Sequence, residues 1–349
     1  MKHTLIKLMI AFVAVMALTG KPIEASPVSA SQKRAMQTTL NHADANAIVV
    51  AGKNANNPTV LANHAQVKRV GKLRPTQLFP IATFQKSVTG LAIQQLINQH
   101  QLKLHQRLHR FFPKLPHSRQ ITVADLLTHK SGLVDVHQIA QRPIQTQKQN
   151  INFTEHNFRV VGRPGKWRYA NINYGLLAMI VSKVSLANYQ DYVREHIIEP
   201  NHIHGMVFFN QLKSARDLAP SAAPLGVGRR QNPWYYLQLE MSVEFGAGQL
   251  LGTPLSYWQF LQKAVLNDHH VVAKYRQASK QPATRHYYAG FYFQGKQIHA
   301  NGAFRGYSCT VFANLRTHQA VMIFTNNLNL MKCRSLGNQL NQELMKGQH

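Results

Sequence analysis

Acidic residues are scarce in this sequence. Of its 349 residues, 13 are Asp or Glu and 40 are Lys or Arg, so the formal net charge at pH 7 is +27. Charged residues make up 15% of the chain, whereas ordinary globular proteins have roughly 25%. A chain this basic is expected to bind polyanions. Nucleic acid, anionic lipid and anionic cell-wall polymer all qualify on charge alone.

Cysteine is scarce as well, since Cys309 and Cys333 are the only two. A disulfide-framework fold is therefore excluded. The two thiols fit either one bridge or two small buried side chains, and the sequence carries no geometry to decide between them. No cluster of His, Cys, Asp and Glu has the spacing of zinc ligands, and no glycine-rich nucleotide-binding loop occurs. We therefore expect neither a metal site nor a cofactor.

No segment beyond the N-terminus is long and apolar enough to span a bilayer. At the N-terminus, Lys2 and Lys7 precede an apolar stretch over 8–18, and small residues occupy 28–30. This layout is typical of a secretory signal peptide over 1–30, and we predict cleavage after Ala30. The alternative is an uncleaved anchor, although a membrane span needs about 20 apolar residues. Export predicts a secreted, cell-wall-associated protein that meets anionic envelope polymers rather than nucleic acid.

Strand patterns lie at both ends of the chain, and helical patterns lie between them. The strand patterns cover 47–51, 59–62, 286–293, 307–313 and 320–325. Between them a polar, Gln-rich stretch over 142–157 predicts a surface loop. We predict one α+β domain over 31–349, with an antiparallel sheet from about 31–90 and 240–349 and a mostly helical insert from about 91–239. A cleft between sheet and helices is a favoured place for a ligand.

Two short motifs carry side chains suited to acyl transfer. Thr83 and Lys86 lie three residues apart where a helix is predicted to begin, so they are neighbours on its surface. A lysine held in a cleft has a lowered pKa and accepts a hydroxyl proton, and a helix N-terminus favours a developing oxyanion. Tyr169 and Asn171 lie two apart in an extended loop and point the same way. There the tyrosine relays a proton and the asparagine holds a substrate amide, although an ordinary turn also fits this motif.

A third motif lies in the strand-rich tail, where His299 and Gly302 are followed by Arg305. A glycine in a strand lets a substrate backbone approach the strand edge closely. The alternative is a β-turn between two strands.

In this order the motifs resemble those of the β-lactamase-related serine hydrolases, which include class C β-lactamases, low-molecular-weight D,D-peptidases and related esterases. The matching stretches run from roughly residue 79 to 327 and include IATFQKSVTGLAIQQLI, ITVADLLTHKSGL, GKWRYANINYGLLAMIVSKV, FGAGQLLGT and NGAFRGYSC. The resemblance implies a β-lactamase/transpeptidase-like α/β sandwich.

The resemblance also implies a role for each motif residue. Thr83 takes the nucleophile position, Lys86 activates it, and Tyr169 and Asn171 match the family's Y-x-N element. The backbone N–H groups of Thr83 and Ala303 then form the oxyanion hole. The implied substrate-binding residues are Asn171, His299, Gly302 and Ala303. His129, in LLTHKSGL, is interpreted as a structural loop histidine.

Two positions depart from the family pattern. The family nucleophile is Ser, whereas Thr83 carries an extra methyl group that stiffens χ1 and crowds the attacked carbon. The family also places Lys or His two residues before the glycine, and here that position holds Ala300. On a regular strand His299 therefore points to the opposite face, unless a β-bulge restores its aim. Arg305 is the nearest other cation.

Two functions of different class remain open. The first is an acyl-transfer hydrolase that acts on a peptidoglycan stem peptide, a β-lactam or a small ester through Thr83, Lys86 and Tyr169. The second is a catalytically inactive family member that binds anionic cell-wall material. We favour the first. A polyanion-binding protein with an incidental likeness to the family is disfavoured, because the export signal opposes a nucleic-acid role.

Overall fold

A seven-stranded antiparallel sheet forms the centre of the fold. The computed structural model describes residues 28–65, 68, 71–136, 140–212, 214–221, 233–282, 284 and 286–346. Its strands are β1 (Asn46–Gly52), β2 (Thr59–His64), β3 (Phe79–Pro80), β4 (Leu133–Asp135), β5 (Phe158–Val160), β6 (Met206–Phe208), β7 (Leu250–Gly252), β8 (Tyr287–Tyr288), β9 (Phe291–Gln294), β10 (Gln297–Phe304), β11 (Tyr307–Asn314) and β12 (Ala320–Thr325).

The order of the large sheet is β2-β1-β12-β11-β10-β9-β8. Strands from the two chain ends therefore meet at its centre, where Ala47 of β1 pairs with Thr325 of β12. This confirms the prediction of an antiparallel sheet built from both ends of the chain. Two small sheets, β3-β7-β6 and β4-β5, belong to the middle of the chain.

Helices cover both faces of the large sheet. They are α1 (Ala30–His42), α2 (Gln85–Asn98), α3 (Val123–Leu127), α4 (Gln147–His156), α5 (Ile172–Ser185), α6 (Tyr189–Val193), α7 (Pro233–Ser242), α8 (Pro254–Gln259), α9 (His269–Lys280) and α10 (Leu330–Met345). Single π-helical stretches extend α6 over Arg194–Ile198 and α8 over Phe260–Leu266.

The two terminal helices pack together on the outer face of the sheet. Leu40 of α1 joins Leu336, Leu340 and Leu344 of α10 in a small apolar cluster against that face. The four-residue spacing of the three α10 leucines places them on one side of the helix. The larger core lies on the other face, around α2 and α5. Helix α2 is buried over most of its length, so its first residues face the protein interior and not solvent.

Helix α4 replaces the surface loop that the Gln-rich composition predicts over 142–157. Thr146 and Gln149 form a capping box, in which the Thr146 hydroxyl accepts from the Gln149 N–H and the Gln149 side chain accepts from the Thr146 N–H. Asn150 and Thr154 then face inward and are buried. The loop prediction was wrong because the capping box supplies the first-turn hydrogen bonds that a polar stretch needs to start a helix.

Most of the predicted signal peptide lies outside the described residues, which begin at residue 28. Helix α1 begins at Ala30, and Ser29 and Gln32 cap it with a reciprocal pair of hydrogen bonds. Cleavage after Ala30 would remove that cap. Within the part of the chain that the structure describes, no helix combines the length and the apolar composition that crossing a membrane requires. Cys309 and Cys333 are both buried as free thiols.

Candidate active site

Thr83 lies in a short 3-10 turn, Ala82–Phe84, that leads directly into α2. The turn packs against an edge of β10 that β9 leaves open, because β9 pairs only with the residues from Gln297 to His299. Ala82 has a φ of +49°, a left-handed conformation that costs a non-glycine residue about 1–3 kcal/mol. Tertiary packing therefore holds the backbone just before Thr83 in a strained conformation.

Gly302 of β10 allows this close approach. A Cβ atom at position 302 would lie 2.6 Å from the Ile81 carbonyl oxygen and 2.8 Å from the Cys309 Sγ. The space beside Gly302 is thus filled by the protein's own backbone and not left for a substrate. The substrate-binding role predicted for Gly302 is corrected accordingly: this glycine positions the turn that carries Thr83.

The Thr83 hydroxyl makes two hydrogen bonds. It donates to the backbone carbonyl of Asn301 on the open edge of β10, and it shares a second hydrogen bond with the hydroxyl of Tyr169. Residues two apart in an extended strand project alike. The N–H of Ala303 therefore leaves β10 on the same edge as the Asn301 carbonyl, beside Thr83. This is the place expected for an oxyanion-hole donor.

The Lys86 amine lies behind this pair, fully buried. Its Nζ is 5.0 Å from the ring centroid of Tyr169 and 5.7 Å from that of Tyr174, and it makes no hydrogen bond to a residue that the structure describes. Burial lowers the pKa of Lys86 to about 8, while the carboxylates of Glu244 and Asp135 act in the opposite direction. A substantial fraction of Lys86 is therefore neutral at mildly alkaline pH.

His129 supports Tyr169 from the side. The two ring centroids are 4.3 Å apart, and His129 Nδ1 accepts hydrogen bonds from the Ala170 N–H and the Asn173 side chain at 3.3 and 3.2 Å. Burial lowers the pKa of His129 well below its usual value, and the nearby Lys86 adds to this. The histidine is thus neutral, with its proton on Nε2. These hydrogen bonds, with that from the Arg168 N–H to the His129 carbonyl, attach His129 to the loop that carries Tyr169.

Tyr169 is a protonated phenol in this setting. Burial raises its pKa far above the usual value, and the hydrogen bond with Thr83 only partly offsets this. Its hydroxyl can therefore pass a proton on only while it receives one from elsewhere.

Asp135 and Glu244 belong to the site but carry no motif in the sequence. The Asp135 carboxylate accepts hydrogen bonds from the N–H groups of Asn171 and Ile172 at 2.7 and 2.6 Å, and it thereby caps α5. This cap holds the Tyr169–Asn171 segment. Because Asp135 and Asn171 are 36 residues apart, no local pattern could have paired them. Glu244 lies in the turn after α7 and lines the same small cavity as Asn171.

His299 is not part of the site. Pairing between β10 and β11 runs without interruption from Gln297 opposite Asn314 to Phe304 opposite Tyr307, so no bulge re-aims the side chain. The His299 ring stacks 4.9 Å from Tyr292 and 5.5 Å from Phe312.

On that outer face His299 lines a groove together with residues of α10. Burial lowers its pKa to about 4, with Arg334 adding to the effect, so the ring is uncharged. The predicted substrate-binding role of His299 was wrong, because a regular strand places residues 299 and 302 on opposite faces. Arg305, the other cation considered, lies 3.9 Å from the Glu240 carboxylate.

The structure thus places Thr83, Lys86 and Tyr169 next to one another, with the edge of β10 that carries Ala303 beside Thr83. The Asn171 side chain lines the small cavity at the start of α5 instead. In the described part of the chain, no group of three His, Cys, Asp or Glu side chains is arranged to hold a metal ion.

Comparison with known proteins gives the family. The Beta-lactamase family matches residues 39–345, which include every site residue described above. The chain belongs to the Beta-lactamase family. The resemblance inferred from the motifs is confirmed at this level.

Two curated relatives are each about a quarter identical to this chain over the residues that align. A putative penicillin-binding protein, PbpX of Bacillus subtilis, is 24% identical over 281 residues, which cover 80% of this chain and 70% of the relative. A teichoic acid D-alanine hydrolase of Staphylococcus aureus is 23% identical over 253 residues, which cover 70% of this chain and 61% of the relative. The chain therefore spans less than two thirds of the length of that hydrolase.

Solved structures confirm the fold. The D-amino acid amidase of Ochrobactrum anthropi, solved with D-phenylalanine, matches with a TM-score of 0.72 and 17% identity, over 90% of this chain and 99% of the amidase. This likeness shows a shared β-lactamase/transpeptidase-like fold, as the sequence predicted.

Proposed function

We propose that this protein is an acyl-transfer hydrolase in which Thr83 attacks an ester or amide carbonyl and forms an acyl-enzyme. The observation that carries the proposal is the convergence of the Thr83 hydroxyl, the Tyr169 hydroxyl and the buried Lys86 amine. A hydroxyl nucleophile with a lysine and a phenol beside it is the minimum set for activating an alcohol without a histidine base.

The reaction follows from these groups. Neutral Lys86 takes the Thr83 proton by way of the Tyr169 hydroxyl, as Thr83 Oγ1 bonds to the carbonyl carbon. The N–H groups of Thr83 and Ala303 stabilise the oxyanion. The C–O or C–N bond then breaks, the proton returns through Tyr169 to the leaving alcohol or amine, and water later releases the acyl group from Thr83.

A cell-wall acyl compound is the proposed substrate. The relatives support this class, since one is named a penicillin-binding protein and another a teichoic acid D-alanine hydrolase. A peptidoglycan stem peptide, a β-lactam and a small ester all present the acyl carbon that this site would attack.

We also propose that an anionic envelope polymer binds beside the site, and that the chain is exported to reach it. The exposed segment from Arg159 to Arg168, here named the basic strip, carries four cations, namely Arg159, Arg163, Lys166 and Arg168. Hydrogen bonds from Gly165 to Lys130 and from Arg168 to His129 fix the strip against the loop that supports Tyr169. Trp167 in the strip is 46% exposed.

The second candidate, a binding protein without turnover, is favoured by one observation. The Thr83 hydroxyl donates its hydrogen bond to the Asn301 carbonyl, which cannot act as a base. The Lys86 amine makes no hydrogen bond to the Thr83 hydroxyl, so no base is in contact with the nucleophile.

Mass spectrometry of the intact protein after exposure to a β-lactam or to p-nitrophenyl acetate tests the two candidates. The hydrolase proposal expects an acyl adduct on Thr83 that is lost in Lys86→Ala and in Thr83→Val. If wild-type protein forms no adduct while Thr83→Ser does, the protein is a binder whose scaffold is intact, and the hydrolase proposal fails.

A further inference from the structure

We propose that the groove between α10 and the outer face of the large sheet binds a neutral polysaccharide chain. This outer groove lies on the face of β10 opposite to the turn that carries Thr83, and none of Thr83, Lys86 and Tyr169 lines it. Binding there goes beyond the proposed hydrolysis and does not depend on it.

The outer groove is long as well as large. Its volume is about 640 Å³, within the range of roughly 300–1,000 Å³ that is usual for ligand sites. Its helical wall runs from Met331 to Met345 of α10, a distance of about 21 Å at 1.5 Å per residue. The sheet contributes one residue of β9, two of β10 and one of β11, namely Gln294, Gln297, His299 and Phe312. Such a shape suits several units of an extended chain.

The lining of the outer groove is polar but carries little charge. Five of the lining residues have side-chain amides, namely Gln294, Gln297, Asn338, Asn341 and Gln342. Arg334 is the one charged residue in that lining, because burial lowers the pKa of His299 to about 4 and leaves its ring neutral. In a chain of net charge +27, a groove with one cation and no carboxylate favours a neutral ligand over an anionic polymer.

The amides of the outer groove have hydrogen-bonding capacity to spare. None of the five side chains makes a hydrogen bond to a described residue. Four of them reach solvent, whereas Asn341 is only 5% exposed. A buried amide without partners costs free energy. A ligand in the groove that both donates to and accepts from Asn341 would remove that cost.

Sugar groups match what this lining offers. Amides, a neutral imidazole and the Ser335 hydroxyl each present a donor together with an acceptor. The hydroxyl and acetamido groups of sugars combine donors and acceptors in the same way, whereas an ionised phosphate only accepts and an ammonium group only donates. The mixed lining therefore favours a carbohydrate.

The outer groove also has a fixed ring and apolar ends. The His299 ring is stacked between Tyr292 and Phe312, with centroid distances of 4.9 and 5.5 Å, so its ring nitrogens are held in one orientation. Met331 and Met345 line the two ends of the helical wall. Methionine side chains adapt to the surfaces they meet, and here they can pack on the C–H groups of a sugar ring.

A row of ring contacts joins the outer groove to the Thr83 site. The ring centroids of Tyr169 and Tyr287 are 6.1 Å apart, those of Tyr287 and Tyr292 are 4.7 Å apart, and Tyr292 stacks on His299. Three ring contacts therefore separate the residue beside the nucleophile from the groove. A polysaccharide bound in the groove holds the Thr83 site close to the polymer to which that chain belongs.

Isothermal titration with the hexamers of N-acetylglucosamine and of glucose tests the site, because both are neutral. We expect wild type to bind at least one hexamer, with at least tenfold weaker binding in Asn341→Leu and at least threefold weaker binding in Gln342→Ala. Gln339→Ala is the matched control, since it removes an exposed amide from the same helix outside the lining, and it should bind like wild type. Should Asn341→Leu not fold, His299→Ala replaces it in the comparison, with the same tenfold loss expected.

Hydrolysis of p-nitrophenyl acetate separates this site from the proposed function. The groove variants are expected to keep the wild-type rate within about twofold, because none of the substituted residues touches Thr83, Lys86 or Tyr169. If the wild-type protein binds a hexamer but never forms an acyl adduct, the hydrolase proposal fails and the polysaccharide site stands.

Two results would overturn the proposal: wild type that binds neither hexamer, and binding that Gln339→Ala weakens as much as Asn341→Leu and Gln342→Ala do. Two other occupants can then be recognised. Polyphosphate binding that is lost in Arg334→Gln would assign the groove to an anionic polymer. A dimer seen by sedimentation velocity that Met331→Asp abolishes would assign it to a second copy of this chain.

Discussion

The Thr83 hydroxyl donates its hydrogen bond to the backbone carbonyl of Asn301, while the Lys86 amine makes no hydrogen bond to a described residue. A carbonyl cannot take the proton, so attack by Thr83 requires its hydroxyl hydrogen to turn toward Tyr169 or Lys86. Threonine has fewer accessible χ1 rotamers than serine because two heavy atoms sit on Cβ. The extra methyl group of Thr83 therefore restricts the directions in which its hydroxyl oxygen can point.

Replacing Thr83 with Ser removes this restriction. We expect Thr83→Ser to raise the rate of acylation by roughly 10- to 100-fold, the scale on which a small misplacement of a nucleophile acts. The measurement is the rate of adduct formation by stopped-time mass spectrometry. Thr83→Val keeps the shape of the side chain without the oxygen and is expected to form no adduct. A slower Thr83→Ser would show that the native methyl group helps catalysis.

The activity should rise with pH through the titration of Lys86. The pKa of Lys86 is lowered from 10.5 to about 8, chiefly by burial, and only the neutral amine accepts a proton. We therefore expect kcat/KM to rise about tenfold per pH unit below pH 8 and to level off above it. The pH profile of ester hydrolysis checks this. A profile that is flat between pH 6 and 9 would exclude Lys86 as the base.

The same shift predicts how stability changes with pH. Between about pH 8 and 10.5 the unfolded chain binds a proton at Lys86 that the folded protein does not, so the free energy of unfolding should rise with pH by about 1.4 kcal/mol per unit in that window. Lys86→Met lacks this contribution. We expect the difference between wild type and Lys86→Met, measured by urea unfolding, to change by about 1 kcal/mol between pH 8 and 9, where the folded protein still loses part of its own Lys86 proton. No change would mean that the buried amine is not perturbed.

The Tyr169 hydroxyl is expected to matter for rate and little for stability. Tyr169→Phe keeps the ring that packs on Lys86 and His129 but removes the proton relay beside Thr83. We expect kcat to fall roughly 100-fold, with the melting temperature nearly unchanged. His299→Ala is the control and should keep its activity within about twofold, because His299 lies on the outer face of β10. Activity lost equally in both variants would contradict the assignment.

Binding to an anionic polymer should depend on the basic strip. The variant with Gln at positions 159, 163, 166 and 168 is expected to lower the slope of log affinity against log salt by roughly 3, since each released counterion contributes about 0.7–0.9. Titration with inorganic polyphosphate and with purified teichoic acid measures this slope. A matched variant changes four exposed cations beyond the C-terminal end of α2, namely Lys103, Arg110, Lys114 and Arg119. Equal losses in the two variants would mean that net charge alone drives binding.

Local patterns in the sequence were enough to determine several elements of this protein. Thr122 and Asp125 form a capping box at the start of α3, a pattern readable in the sequence because both partners lie within one helical turn. The apolar periodicity of α5 and α10 and the spacing of Thr83 and Lys86 are equally local. The order of the motifs along the chain identified the family, and the fold of that family agrees with the sheet built from both chain ends.

Only the tertiary structure decided what depends on distant partners. The register of β10 against β11 placed His299 outside the site. The close packing of Ile81 against Gly302 showed why position 302 has no room for a side chain. The hydrogen bonds between Asp135 and the start of α5 join residues far apart in the chain. Hydrogen bonds and steric contacts act over a few ångströms in space, so a sequence pattern reveals them only when the partners are also neighbours along the chain.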